Sequence, residues 1–209
     1  MDGLIPAFLR RPESHAERVA DGIRILAAAS VVVAALGWGW IQFAVFMLAL
    51  LATLAPRALA LPGPLDIAVG ITDLVAAWSN VLDLYEHLPG WDKFIHGLLG
   101  GLVALLAVTL AQRAGSAPAA GDPWAMPMLV SATVAFGLAT GAVWEMLEWA
   151  GHTYIDTAVH VGYDDTIGDL AADGIGSLVA ALLWFPYLRR VGHRHPTGAR
   201  TGHHEVPRP

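Results

Sequence analysis

The stretch RILAAASVVVAALGWGWIQFAVFMLALLATLAPR, residues 24–57, is predominantly apolar between its two arginines and is interrupted by GWGW at Gly37 to Trp40. A bilayer-crossing helix needs roughly 20 mainly apolar residues. The run is therefore either one long helix or two helices that turn at the glycines, and the fold depends on which. Four further apolar segments follow, at about residues 65–84, 91–112, 126–151 and 166–188. Splitting the first run into about residues 19–38 and 40–55 gives six spans.

The arginines decide between the two readings. Arg10, Arg11, Arg18 and Arg24 precede or begin the first span, Arg57 lies between spans two and three, and Arg113 follows span four. Arg189, Arg190, Arg194, Arg200 and Arg208 end or follow span six. With six spans all of these fall on one side, and Lys93 alone falls on the other. Excess Lys and Arg mark cytoplasmic loops, so both termini are expected in the cytoplasm. One uninterrupted helix would export the N-terminal arginines. GWGW is then a tight outer turn with Trp38 and Trp40 at the interface.

Composition agrees with an all-α polytopic membrane protein. The chain is 56% hydrophobic and 14% charged, where soluble domains carry about 25% charged residues, and its mean hydropathy is +0.54. The absence of cysteine excludes disulfides, thiolate catalysis and Cys-based zinc sites. The expected organisation is a cytoplasmic segment at 1–18, a six-helix transmembrane domain at 19–190 and a disordered cytoplasmic tail at 191–209. A cleaved signal peptide is rejected, because the apolar run before ALA at Ala58 to Ala60 far exceeds a signal core of about 7–15 residues. The bacterial inner membrane is the expected location, the lipid bilayer the expected environment, and no nucleic-acid partner is expected. The tail histidines could bind a metal weakly, but a solvated tail is preferred.

The same topology sends the acids to the other end. Asp83, Glu86 and Asp92 flank the loop between spans three and four. Glu145, Glu148, Asp156, Asp164, Asp165, Asp169 and Asp173 flank or enter the loop between spans five and six, with His87, His96, His152 and His160 nearby. Residues three, four or seven apart share a helix face. Asp92, His96 and Gly100 therefore line up on span four, Gly141, Glu145, Glu148 and His152 on span five, and Asp165, Asp169, Asp173 and Gly176 on span six. Asp66, Asp73, Asn80 and His87 recur every seven residues on span three. At about 1.5 Å of rise per residue, Asp173 lies roughly 13 Å, Glu145 roughly 9 Å and His96 roughly 7 Å below the outer surface. Gly97 and Gly101, Gly137 and Gly141, and Gly168, Ala172 and Gly176 have the spacing that lets membrane helices approach closely. Spans four, five and six should form the core, with their stripes converging.

An ionised carboxylate inside a bilayer costs about 2.5 kcal/mol or more even on insertion scales. One lysine cannot neutralise this cluster, so the acids are protonated, line a wet cavity or hold a cation. Mixed carboxylate and imidazole ligands suit zinc, manganese or iron, and carboxylates alone suit magnesium or calcium. The expected metal ligands are His96, Glu145, Glu148, His152 and Asp169. Asp92 or Asp173 would be the general base or a partner that orients a ligand. Tyr85, Glu86, His87, Lys93 and Asp165 would form the rim, Lys93 either as a counter-ion or at a lipid headgroup. Asp66, near the cytoplasmic end, is expected to be solvated.

The stretches YEHLPGWDKFIHGLLGG, GAVWEMLEW and GYDDTIGDLAADGIGSLVAAL resemble the bacterial YjdF-type inner-membrane proteins, a family of small polytopic proteins of unassigned function. The likeness covers about residues 85–182. The trailing half is also similar, more weakly, to the VanZ-like group. These resemblances imply a membrane domain and no particular reaction. The GxGD of presenilin-type proteases, the GxSG of rhomboids, an outer-side arginine signature and histidine-box pairs do not occur. Three readings stay open: a metal-dependent site acting on a lipid or envelope-linked molecule, a proton- or cation-coupled transporter, and a structural protein whose polar stripes hold helices together.

Overall fold

The computed structural model describes residues 4–118, 124–157, 159 and 161–194. His160, the centre of the loop near residue 120 and the tail beyond Arg194 lie outside the described residues. The elements are all helical: α1 (Leu4–Leu9), α2 (His15–Trp38), α3 (Trp40–Ala58), α4 (Gly63–Val81), α5 (Leu84–His87), α6 (Trp91–Arg113), α7 (Ala125–Tyr154) and α8 (Tyr163–Arg194). Five of them, α2, α3, α6, α7 and the described length of α8, are long and apolar enough to cross a membrane. The sixth, α4, has similar length but carries Asp66 and Asp73, and it packs beside α2, α3 and α6. The protein is a multi-pass membrane protein.

Local chemistry sets the breaks. Ser14 caps α2 by accepting the Glu17 amide at 3.2 Å. Gly39, at φ 88°, turns the chain between α2 and α3 in a single residue, a conformation that suits glycine because it has no Cβ. Trp38 and Trp40 stay exposed beside it. Pro56 lies in the last turn of α3. Asp83, at φ 53°, ends the α4 segment, and Gly90, at φ 78°, starts α6.

The six long helices form two three-helix groups. In the first, α2, α3 and α4 pack around Val31, Ala34, Phe46, Ala77 and Val81. In the second, α6, α7 and α8 pack on one another, and their apolar core reaches α4 through Leu65 and Val69 against Leu105, Val108, Leu129 and Phe185. The groups meet chiefly where α4 runs along α6.

Helices α6 and α8 run in the same direction in near backbone contact. A Cβ on Gly176 would collide with the Gly97 carbonyl, and one on Gly101 would lie 2.8 Å from the Gly176 carbonyl oxygen. On α7, Gly137 faces Ser177 and Gly141 faces Asp173. Small residues at this spacing let the backbones approach, as the sequence spacing anticipates.

The two ends differ in charge. Arg10, Arg24, Arg57 and Arg113 gather at one, the arginine end, through bonds that join α2, α3 and α4, the segment after α1, and α6 to the loop after α3. Lys93 and the acids of α6, α7 and α8 mark the other, the acidic end.

Asp66 corrects the expectation of a solvated side chain. It is 4% exposed and accepts a hydrogen bond from the Arg24 guanidinium, whose Nε also donates to the Thr53 carbonyl at 3.0 Å. An arginine and an acid on neighbouring helices at the same depth satisfy each other, and neither needs water. The α4 stripe is also shorter than its seven-residue period suggests. Asp83 breaks the helix, His87 falls on α5, and Asn80 accepts from Gln42 of α3 at 3.0 Å.

Candidate functional site

His96 is the centre of the acidic end. It is 9% exposed on α6, one turn below Asp92. Its Nδ1 lies 3.4 Å from Asp173 Oδ2, a long hydrogen bond, and its Nε2 lies 3.9 Å from Asp92 Oδ1. Asp173 is 2% exposed. Its carboxylate occupies a slot between Gly100 of α6 and Gly141 of α7, and a Cβ at either glycine would collide with it. No larger residue at 100 or 141 leaves room for that carboxylate. Asp173 thus orients the imidazole, since a proton on Nδ1 shared with a carboxylate leaves the Nε2 lone pair for a ligand.

Two sets of ligand atoms share His96. In one, Asp92, His96 and Asp169 have donor atoms within 4.8 Å of one another, and in the other His96, Glu145 and Glu148 do. Among the described residues no such set contains both Glu148 and Asp169. Among the described residues the five expected ligands do not form one set: four of them, with Asp92, fall into two triads that share His96. Glu145 and Glu148 come from α7 and Asp169 from α8, and His96 of α6 belongs to both sets.

The triads differ in charge. Lys93 Nζ lies 3.4 Å from Asp165 and 3.7 Å from Asp169, so a cation serves the Asp92 and Asp169 side. Glu145 and Glu148 have no ion pair with a lysine or arginine among the described residues, and Glu145 Oε1 is buried without a hydrogen-bond partner. Lys93 reaches across α8 over Gly168, where a Cβ would collide with its chain.

The remaining expected residues are placed as follows. His152 is not drawn in: its Nδ1 bonds the Val159 carbonyl at 2.7 Å, and among the described residues it joins no ligand set. It lies in the last turn of α7, where its imidazole closes the loop that follows. Tyr85 on α5 donates to the Ala76 carbonyl at 3.1 Å. Burial raises its phenol above the usual range, and the carboxylates of Asp92 and Glu148 add to that, so it stays a neutral hydroxyl near the cluster. Glu86 and His87 are exposed, His87 bonding the Asp83 carbonyl at 2.7 Å. Sequence reasoning missed the pairing of Trp91 Nε1 with Ser79 Oγ at 2.9 Å, which fastens the start of α6 to α4. No spacing rule links residues on different helices.

No curated protein and no solved structure matches the chain, and the weaker VanZ likeness is not shown by the family comparison. The family profile that matches is described as a predicted membrane protein (DUF2238) and covers residues 19–190. That stretch contains most or all of each long helix and every residue of both triads, so the chain belongs to the DUF2238 family of predicted membrane proteins.

Proposed function

We propose that the acidic end holds a divalent transition-metal ion on His96, Glu145 and Glu148, and acts there on the headgroup of a lipid or envelope-linked molecule. The observation that carries this reading is the uncompensated pair of glutamates on the shared histidine, with Glu145 Oε1 buried and unbonded. A buried polar atom without a partner is costly, and two acids with no lysine or arginine partner among the described residues are electrostatically matched to an added cation. One imidazole with two carboxylates favours zinc, manganese or iron over magnesium.

When bound, such an ion would polarise a phosphoryl oxygen and activate water. The chain's own residues divide the remaining tasks. Asp173 holds the Nδ1 proton of His96 and is sealed from substrate by its glycine slot. Asp92, half-buried at the start of α6, is the carboxylate able to accept a proton from a reacting group. Tyr85, whose hydroxyl proton is held by the Ala76 carbonyl, offers its oxygen as an acceptor at the rim, and Lys93 with Asp165 and Asp169 forms a further wall.

The test is elemental analysis of protein purified without chelator, wild type beside His96→Ala and Glu148→Ala. Near-stoichiometric metal in the wild type and its loss from both variants is the expected result. Protons compete with the ion for these ligands, so occupancy should fall as pH is lowered. Wild-type protein that holds no metal at any stoichiometry overturns the reading.

One observation favours the transporter reading. Asp73 lies mid-way along α4, and its Oδ2 is buried without a hydrogen-bond partner. Carboxyls at such depth commonly mark proton or ion pathways. Proteoliposome flux under a proton or cation gradient, wild type against Asp73→Asn, decides between the two readings.

A further inference from the structure

The seam between the two helix groups is open on one side. A groove of about 900 Å³ runs along it, walled by α4, α6 and α8. Its lining is apolar from Leu98 and Ile175 down to Leu183 and Tyr187, and Lys93 stands at its acidic-end mouth. Volumes of this size hold small-molecule ligands. From Lys93 to Leu105 the α6 wall is roughly 18 Å long at 1.5 Å per residue, close to the roughly 15 Å of one leaflet, half of a 30 Å hydrocarbon core. Water does not fill an apolar groove at that depth.

We propose that this groove seats one hydrocarbon chain of a phosphate-bearing membrane lipid, with its headgroup on Lys93. The charge argument is local. Lys93 is the one lysine or arginine at the acidic end among the described residues, and its side chain is half-exposed at the mouth. It also contacts Asp165 and Asp169, and Asp169 belongs to the triad that shares His96. A phosphate on Lys93 is therefore separated from the ligand cluster by a single carboxylate. The α6–α8 contact at Gly97 and Gly176 keeps the chain itself out of the cluster. The lipid seat stands on the groove and Lys93 alone. Its role as a substrate seat rests on the metal site proposed above.

The experiment measures lipid and metal separately. Purified protein is exchanged into detergent with equimolar dioleoyl phosphatidate and dioleoylglycerol, and retained lipid is counted by native mass spectrometry. Wild type should retain one phosphatidate in preference to dioleoylglycerol. A Leu98→Trp/Ile175→Trp protein, which fills the groove from two exposed positions, should lose at least tenfold in retention while keeping wild-type unfolding temperature and metal content. Lys93→Gln should keep chain binding and lose most of the preference for phosphatidate, which guards against a filled variant that misfolds. Equal retention in the filled and wild-type proteins overturns the proposal. So does a wild-type dimer that dissociates on filling, because a second copy then occupies the groove. Wild type without metal but with selective phosphatidate binding rejects the metal site and leaves the lipid seat standing.

Discussion

The two ends of the molecule bury charge in opposite ways. At the arginine end, Arg10, Arg24 and Arg57 face Glu17, Asp21 and Asp66 across α1 to α4, with contacts of 2.8 Å for Arg10 to Glu17 and for Arg24 to Asp21. Within this network three arginines meet three acids, while Arg113 bonds the Leu59 and Ala60 carbonyls. At the acidic end, Asp92, Glu145, Glu148, Asp165, Asp169 and Asp173 surround His96 and Lys93, and the balance fails. A network in which each acid meets an arginine fastens helices together. An unbalanced one requires protons, water or an ion, and so it marks the end where chemistry is to be sought.

This contrast can be broken most forcefully at the arginine end. Removing one partner of a buried pair costs about 3–5 kcal/mol. Asp66→Ala should lose stability on that scale in detergent unfolding, and replacing Arg24 and Asp66 together by Met and Leu should recover much of it. An Asp66→Ala protein as stable as wild type would show that the pair holds nothing.

The acidic end should respond with the opposite sign. Without metal, Glu148→Gln relieves like-charge crowding and should unfold at or above the wild-type temperature. A metal at a hundred times its dissociation constant should stabilise wild type by about 2.7 kcal/mol and leave Glu148→Gln unmoved. Loss of stability in metal-free Glu148→Gln would mean that the glutamate is a structural partner.

Asp173 sharpens the comparison within the acidic end, because it is buried as completely as Asp66 but serves His96. Asp173→Asn keeps its shape in the slot of Gly100 and Gly141 and should weaken metal binding about 10–100-fold, read by competition with a chelating dye. Unchanged affinity would make Asp173 a packing group. The smallest effect belongs to Lys93, whose side chain is 44% exposed. Its partner Asp169 is buried, but the ammonium side of the pair is open to solvent, and exposed pairs contribute only about 0–1 kcal/mol, so Lys93→Gln should lower the unfolding temperature less than Asp66→Ala does.

Much of the fold is readable in the chain. Apolar length finds the six long helices, of which all but α4 are long and apolar enough to cross a membrane, Gly37 to Trp40 marks the first turn, and the glycine spacing names α6, α7 and α8 as the closely packed group. The site is readable only in part. Helical spacing finds Asp92 with His96, Glu145 with Glu148, and Asp165 with Asp169 and Asp173. It also assigns His152 and Glu148 the same role, yet His152 bonds the Val159 carbonyl. It joins Asp66 to His87, yet Asp83 breaks the helix between them.

The sequence by itself determined a polytopic all-α membrane protein with arginines at one end and acids at the other, because hydropathy, charge asymmetry and helical period are properties of each segment alone. Only the tertiary structure decided that Arg24 neutralises Asp66, that His96 is shared by two triads, that Asp173 sits in a glycine slot, and that a groove opens along the seam of α4, α6 and α8. Those outcomes depend on how each helix is rotated about its axis and which neighbour it meets. A period along one chain segment carries no information about either.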